Sequence, residues 1–200
     1  MTERRPLAFT LGVLLWAASL LTAFGALTRY GNRPGAAGKP LRPSEPASLL
    51  GAYRREGRPL LVMVVHPRCP CTDASLDEMG ELLARAQGAC DAVLVRYQAA
   101  GWPAPPRSQT LAGRRVPVLS DPEGRLAVRL GAETSGHCLL IDAQGQVRFE
   151  GGITPSRGHR GSAPGQDAIL AVLHGEGAGV AAAPVFGCSL ANACLRPPPT

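Results

Sequence analysis

Residues 60–71, Leu-Leu-Val-Met-Val-Val-His-Pro-Arg-Cys-Pro-Cys, constrain this chain more than any other stretch. Six consecutive apolar residues, three of them β-branched, predict a strand buried on both faces. His66-Pro67-Arg68-Cys69-Pro70-Cys71 then makes a short turn bracketed by prolines. From Thr72 on, Leu76, Met79, Leu82, Leu83 and Ala86 recur at helical spacing, with Asp77, Glu78, Glu81 and Arg85 off that stripe. Ser75 with Glu78, or Thr72 with the acidic side chains after it, is suited to serve the first-turn donors. Two cysteines therefore stand where a buried strand hands over to a helix N-terminus. Free N–H groups and the positive end of the helix dipole stabilise a thiolate there, and Arg68 adds a cation.

The flanking segments extend this unit. Residues 49–55 predict a short helix before the strand, and 92–97 (Ala-Val-Leu-Val-Arg-Tyr) a second strand, so the opening is β-α-β with a parallel pair. A proline-rich loop, 101–107, follows. Residues 108–113 predict a helical turn, 116–119 an edge-like third strand and 126–130 a short helix. Residues 138–142 and 146–150 flank Ala143-Gln144-Gly145, the signal of an antiparallel hairpin. After a glycine-rich loop to Gly165, Ile169, Val172 and Leu173 share one helix face.

The N-terminus has a different character. Arg4 and Arg5 precede residues 7–27, 21 residues without a charge, long enough to cross a bilayer or to act as a signal peptide. The length favours an uncleaved anchor, with residues 1–6 cytoplasmic and the bulk of the chain outside the cytoplasm. Residues 28–48 are rich in Pro and Gly and predict a tether, 49–176 the folded domain, and 177–200 an Ala/Gly/Pro-rich tail carrying Cys188 and Cys194. The net charge of +6 comes from arginines scattered along the chain, with nine aromatic residues in all. No basic run interleaves with aromatics, which argues against nucleic acid as a partner.

The order β-α-β, helix, hairpin, helix is that of a thioredoxin fold, and specific residues carry the likeness. Val64-Val65-His66-Pro67-Arg68-Cys69-Pro70-Cys71 resembles the strand-to-cysteine junction of membrane-tethered, TlpA-type thioredoxin-like proteins. Leu119-Ser120-Asp121-Pro122-Glu123-Gly124 with Arg129-Leu130-Gly131-Ala132 is similar to the segment after the third strand in peroxiredoxins and TlpA-type proteins. Leu139-Leu140-Ile141-Asp142-Ala143-Gln144-Gly145-Gln146-Val147 resembles the superfamily hairpin. More narrowly, Cys-Pro-Cys, Gly151-Gly152-Ile153-Thr154, Ser156-Arg157-Gly158-His159 and Pro184-Val185-Phe186-Gly187-Cys188 resemble bacterial proteins called RedB-like. The resemblance implies an α/β thioredoxin-like domain behind a membrane anchor. It also implies a bacterial inner-membrane location, with the domain facing the periplasm or the cell exterior. It spans roughly residues 50–190 and departs from the superfamily in three places. One residue separates Cys69 from Cys71 where two are usual. The cis-proline position, which in the superfamily faces the cysteines, falls near Gly136, in Ser135-Gly136-His137. Met63 stands about where thioredoxins bury a proton-accepting acid.

Three functional readings follow. The first is thiol–disulfide exchange with protein thiols and no cofactor: Cys69, further from the helix body and more exposed, attacks, Cys71 resolves, Arg68 lowers the nucleophile's pKa, and Arg157 and His159 are supporting candidates. Two residues apart, Cα atoms lie up to about 7 Å from each other, the outer edge for a disulfide. A Cys69–Cys71 bond is then strained and a better oxidant. Alternatively, Cys188 resolves across space. The second reading is metal handling: His66, Cys69 and Cys71 with His159, or less favourably His137, form a soft Cu(I) site or a tetrahedral zinc site. Copper-assembly proteins of the Sco type use this fold with two cysteines and a distant histidine. The third is a redox-inactive interaction scaffold. Plainer roles stand beside these: His66 as a polar strand end, His159 as a solvated loop residue, His174 as an exposed helix end. Cys90 and Cys138 read as buried small hydrophobes, and Cys188 and Cys194 as a possible tail disulfide.

Overall fold

A computed structural model describes residues 4–36, 38, 45–176 and 181–191. The chain forms two compact units, Met1–Arg33 and Pro34–Thr200. The first contains one helix, α1 (Arg4–Gly31), of 28 residues, about 42 Å long at the usual rise. Its apolar side chains are exposed, Phe9 at 75%, Trp16 at 64% and Phe24 at 71% among them. Ser19, Thr22 and Thr28 turn their hydroxyls back onto carbonyls three or four residues earlier, which hides the polar groups inside the helix. Residues 7–31 are long and apolar enough to cross a membrane.

The second unit is built on a seven-stranded sheet. Its strands are β1 (Leu60–Val65), β2 (Asp91–Gln98), β3 (Ser108–Leu111), β4 (Arg114–Pro122), β5 (His137–Ile141), β6 (Val147–Gly151) and β7 (Ala181–Ala183). They lie in the order β3-β4-β2-β1-β5-β6-β7. β1 is parallel to β2 and antiparallel to β5; β2 is parallel to β4. The helices are α2 (Glu45–Leu49), α3 (Thr72–Arg85), α4 (Arg125–Arg129) and α5 (Pro164–Leu173). Every residue of β1 is buried, and the pleat divides them between two cores. Leu61, Met63 and Val65 join α3 and α5 through Leu76, Met79, Leu82, Ile169 and Leu170. Leu60, Val62 and Val64 join Val93, Val95, Ala127, Leu130 and Leu139 on the opposite face. A parallel β-α-β unit, an antiparallel hairpin and helices on both faces make this a thioredoxin-like α/β fold.

The structure corrects four expectations. Residues 108–113 are not helical: β3 pairs antiparallel with β4 through a two-residue turn in which Ala112 and Gly113 both take positive φ (43° and 79°). That is the primed geometry of tight hairpins, here without the Asn-Gly or Asp-Gly that announces it. β4 is consequently interior rather than edge-like. Second, the helix expected over 49–55 is split: α2 ends at Leu49 and a 3₁₀ turn covers Gly51–Tyr53. Third, α1 runs through Gly31 and the supposed tether is partly docked, since Gly35 N–H donates to Val185 O at 2.8 Å and Thr134 Oγ1 to Ala36 O at 3.1 Å. Fourth, residue 176 does not end the folded unit. β7 adds a strand parallel to β6, and Leu190 is buried in the second core. Gly151 permits this close approach, because a Cβ there would lie 2.2 Å from Ala183 O.

Candidate functional site

The turn after β1 builds the site. Cys69 N–H donates to His66 O at 3.1 Å and Thr72 N–H to Cys69 O at 3.0 Å, so the chain coils through Pro70 straight into α3. Cys71 is the N-cap residue and supplies no side-chain cap. Neither expected capping arrangement forms. Ser75 Oγ donates back to Cys71 O at 3.2 Å. Glu78, 2% exposed, accepts Gly161 N–H at 2.7 Å and Gln166 Nε2–H at 2.6 Å. Those bonds pin the 151–165 loop that carries Arg157. Thr72 Oγ1 donates to His66 O at 2.8 Å and lies 3.1 Å from Ser135 Oγ. Ser135 Oγ also accepts His66 N–H at 2.9 Å. The segment expected to face the cysteines does so, with a serine hydroxyl and no cis peptide bond among the described residues.

A third sulfur arrives from the C-terminal segment. Ser135 N–H donates to Cys188 O and Leu190 N–H to Glu133 O, each at 2.9 Å. Gly187 packs so tightly that a Cβ would lie 2.0 Å from Ser135 O, and Arg157 Nη1 donates to Gly187 O. Cys188 N–H then reaches Cys69 Sγ at 3.4 Å. The sulfurs of Cys69, Cys71 and Cys188 all lie within 4.8 Å of one another, and all three are free thiols. Cys69 is buried, contrary to the expectation of an exposed nucleophile, while Cys71 and Cys188 are half-buried. Cys194 lies outside the described residues.

The three thiols are electrostatically unequal. Burial works to raise the Cys69 pKa, but hydrogen bonds from the Cys188 thiol and N–H, from the Cys71 N–H and, when it turns from His66 O, from the Thr72 hydroxyl outweigh it and hold Cys69 below the ordinary value. Cys71 is raised by burial and then by the charge on Cys69, with Arg157 opposing. Cys188 is pushed up to about 12 by burial, by its hydrogen bond to Cys69 and by repulsion from the other two sulfurs, again opposed by Arg157. Of the three, Cys69 ionises most readily. The cation at this site is Arg157. Arg68, expected in that role, is exposed and places its guanidinium 4.2 Å over the Trp102 ring.

The histidines proposed as metal ligands do not join the sulfurs. His66 is fully buried, stacks on Tyr97 at 4.8 Å, meets Trp102 edge-on at 5.6 Å, and accepts Arg68 N–H on Nδ1 at 3.1 Å. Burial and then Arg68 lower its pKa to about 4, so it is a neutral ring beneath the turn. His159 is exposed, its Nδ1 2.8 Å from Arg157 O. His137, on β5 opposite Val64, is buried with neither ring nitrogen partnered by protein, and burial lowers its pKa to about 4. Cys90 and Cys138 are core residues as expected; burial raises Cys90 to about 11 and Cys138 further. Met63 is likewise core, in the α3-side cluster. Sequence reasoning missed Thr72 and Ser135 as donors. The hydroxyl immediately after Cys-x-Cys was the available signal for Thr72, whereas Ser135 depends on a contact 63 residues away.

No protein-family model matches the sequence, and no curated protein is significantly similar to it. Among solved structures it is similar to an uncharacterized conserved protein from Geobacillus kaustophilus (TM-score 0.53, 16% identity, 80% of this chain and 92% of that one). It is equally similar to the hypothetical protein SMc02350 from Sinorhizobium meliloti 1021 (TM-score 0.53, 18% identity, 79% and 93%). The exposed lipoprotein thioredoxin Etrx1 of Streptococcus pneumoniae aligns less fully, at TM-score 0.43 and 22% identity over 63% of this chain and 89% of that one. At such identities the likeness speaks to the fold, and the chemistry rests on the geometry of the sulfurs.

Proposed function

We propose that this chain is a membrane-anchored, extracytoplasmic thiol–disulfide oxidoreductase acting on protein thiols, of the RedB-like kind that its motifs resemble. The observation that carries the reading is a lowered-pKa thiol, Cys69, with two further thiols within 4.8 Å. The Cys69 thiolate attacks a partner disulfide, forming a mixed disulfide, and the partner's other sulfur leaves as a thiolate that takes a proton from solvent. Cys71 then loses its proton and attacks Cys69 Sγ, which releases the partner's second thiol and leaves a Cys69–Cys71 disulfide. Two electrons pass to the partner, and the reverse sequence oxidises a partner dithiol. The Cys188 N–H and thiol and the Thr72 hydroxyl stabilise the Cys69 thiolate, while Arg157 favours the thiolate forms of Cys71 and Cys188. Because Cys69 is buried, the partner's sulfur enters past the half-buried Cys71 and Cys188. A second arrangement, with Cys188 resolving, is favoured by its direct hydrogen bond to Cys69. The apolar helix α1 supports the anchored location.

The test is reduction of a model disulfide by the full-length protein in detergent, with an external dithiol as the electron source. Cys69→Ser abolishes turnover and Cys90→Ser leaves it within twofold. Equal activity in the two variants overturns the assignment. Cys71→Ser accumulates the mixed disulfide on Cys69 if Cys71 resolves; accumulation in Cys188→Ser instead selects the second arrangement. Partners that co-purify unchanged after loss of both Cys69 and Cys71 point to a scaffold rather than an enzyme.

A further inference from the structure

The same three sulfurs have a geometry that exchange with a protein disulfide does not need. Two thiols suffice for that reaction, yet the C-terminal segment is held over the turn by bonds to Ser135, Glu133 and Gly35 so that a third sulfur completes a triangle. We propose that the fully reduced protein binds one Cu(I) ion through Cys69, Cys71 and Cys188, in a trigonal site of sulfur alone.

The distances favour it. A metal–thiolate bond of about 2.3 Å in a planar three-coordinate site sets the sulfurs about 4.0 Å apart, and every pair already lies within 4.8 Å. No pair has to close by more than about 0.8 Å, less than a side-chain rotation moves a sulfur. The donor set favours a soft monovalent ion. Three thiolates match Cu(I), and among the described residues no histidine or carboxylate joins the group as a fourth ligand, which zinc in a closed tetrahedral site requires. Two groups are placed to support the bound ion. Cys188 N–H points at Cys69 Sγ, a bond that a metal-bound sulfur can retain. Arg157, held by Gly187 O, offsets part of the net negative charge of three thiolates on one monovalent cation. Binding forms three S–Cu bonds, releases to water the proton of each sulfur that is still protonated (three from the all-thiol form, two when Cys69 is already ionised) and changes no oxidation state. His66 and His159, the nitrogen ligands that the sequence suggested, have no part in it.

The test is anaerobic titration of the reduced, full-length protein in detergent with Cu(I) in the presence of bicinchoninate as a competing chelator, followed by X-ray absorption at the copper edge. The expected result is one copper retained per chain with a first shell of three sulfurs and no nitrogen. Cys188→Ser weakens retention at least tenfold, and His159→Ala leaves it unchanged. Circular dichroism checks that each variant is folded, and the absorption spectrum of the unsubstituted protein stands independently of any variant. Failure to hold copper against bicinchoninate overturns the proposal, as does an unchanged affinity in Cys188→Ser, a nitrogen in the first shell, or displacement of the copper by equimolar Zn(II). Disulfide reduction assayed with bicinchoninate present separates the two readings. Turnover without copper affinity sinks only the metal site, and copper affinity without turnover sinks only the exchange reaction.

Discussion

Cys69 and Cys138 are both buried, at 5% and 0% exposure, yet burial settles the state of only one of them. Cys138 sits on β5 inside the α3-side core, and its thiol donates to Gly136 O at 3.6 Å. A bond in which the sulfur donates does nothing for a thiolate, so desolvation drives its pKa up unopposed. Cys69 suffers the same desolvation but receives donors from Cys188, Cys71 and Thr72, and its pKa falls. The difference is not depth but the direction of the hydrogen bonds. It also separates a reactive sulfur from an inert one without reference to any relative.

The largest break of this comparison is chemical. At neutral pH, alkylation of the reduced, folded protein labels Cys69 at least tenfold faster than Cys138, measured by mass spectrometry of the modified peptides; equal rates would remove the basis of the site. The same rule governs the buried histidines, next in size. His137 has no donor or acceptor to offset burial, and its pKa falls from 6.5 to about 4. The folded state therefore binds fewer protons than the unfolded one between those values, so its stability is intact above pH 6.5 and is lost as pH drops towards 4. A shift of that size corresponds to about 3 kcal/mol. Urea unfolding at pH 7 and pH 4.5 should show a steeper loss in the unsubstituted protein than in His137→Phe. Matching losses would mean that His137 is not held neutral by the fold.

How much of this was legible beforehand depended on sequence distance. The β1–α3 junction was readable because everything that makes it lies within a dozen residues: a β-branched run, two prolines, two cysteines and a helical stripe. The same held for the hairpin of β5 and β6. The third sulfur was legible only as an alternative, a resolving thiol reached across space, since nothing local in Pro184-Val185-Phe186-Gly187-Cys188 fixes that it returns to Cys69, 119 residues earlier. Arg68 was adjacent to the nucleophile in sequence and was credited with its activation, but its guanidinium turns to Trp102 while Arg157 comes in from a distant loop. The surroundings of the His66 ring were hidden for a related reason. A histidine at a strand end faces one side of the sheet or the other, and this one joins Tyr97 and Trp102.

Smaller substitutions sharpen the comparison by removing the Cys69 donors singly. In Gly187→Ala the added methyl meets Ser135 O, so the segment must lift and withdraw Cys188 from Cys69. The Cys69 pKa should climb towards the value of an ordinary thiol, and the fold should lose about 1–3 kcal/mol, read from thiolate absorbance against pH and from urea unfolding. Thr72→Val keeps the shape and deletes one hydroxyl, so the Cys69 pKa rises by less and stability falls by about 1 kcal/mol. If Thr72→Val moves the pKa as far as Gly187→Ala does, Cys188 is not the principal donor.

Arg157→Gln is the mildest change and the most discriminating. The guanidinium opposes the upward shifts of Cys71 and Cys188 and is not among the main causes of the shift of Cys69. Its loss should therefore raise the Cys71 pKa and slow alkylation at Cys71 by a few-fold at pH 8, with Cys69 changed less. Arg157 is only half-buried, so part of its influence is screened by salt, and added salt should reproduce a fraction of the substitution, at Cys71 more than at Cys69. If Cys69 and Cys71 respond equally to either treatment, the cation stabilises the whole sulfur triangle evenly. Hydrogen-bond direction would then no longer account for why one buried thiol ionises more readily than its neighbours.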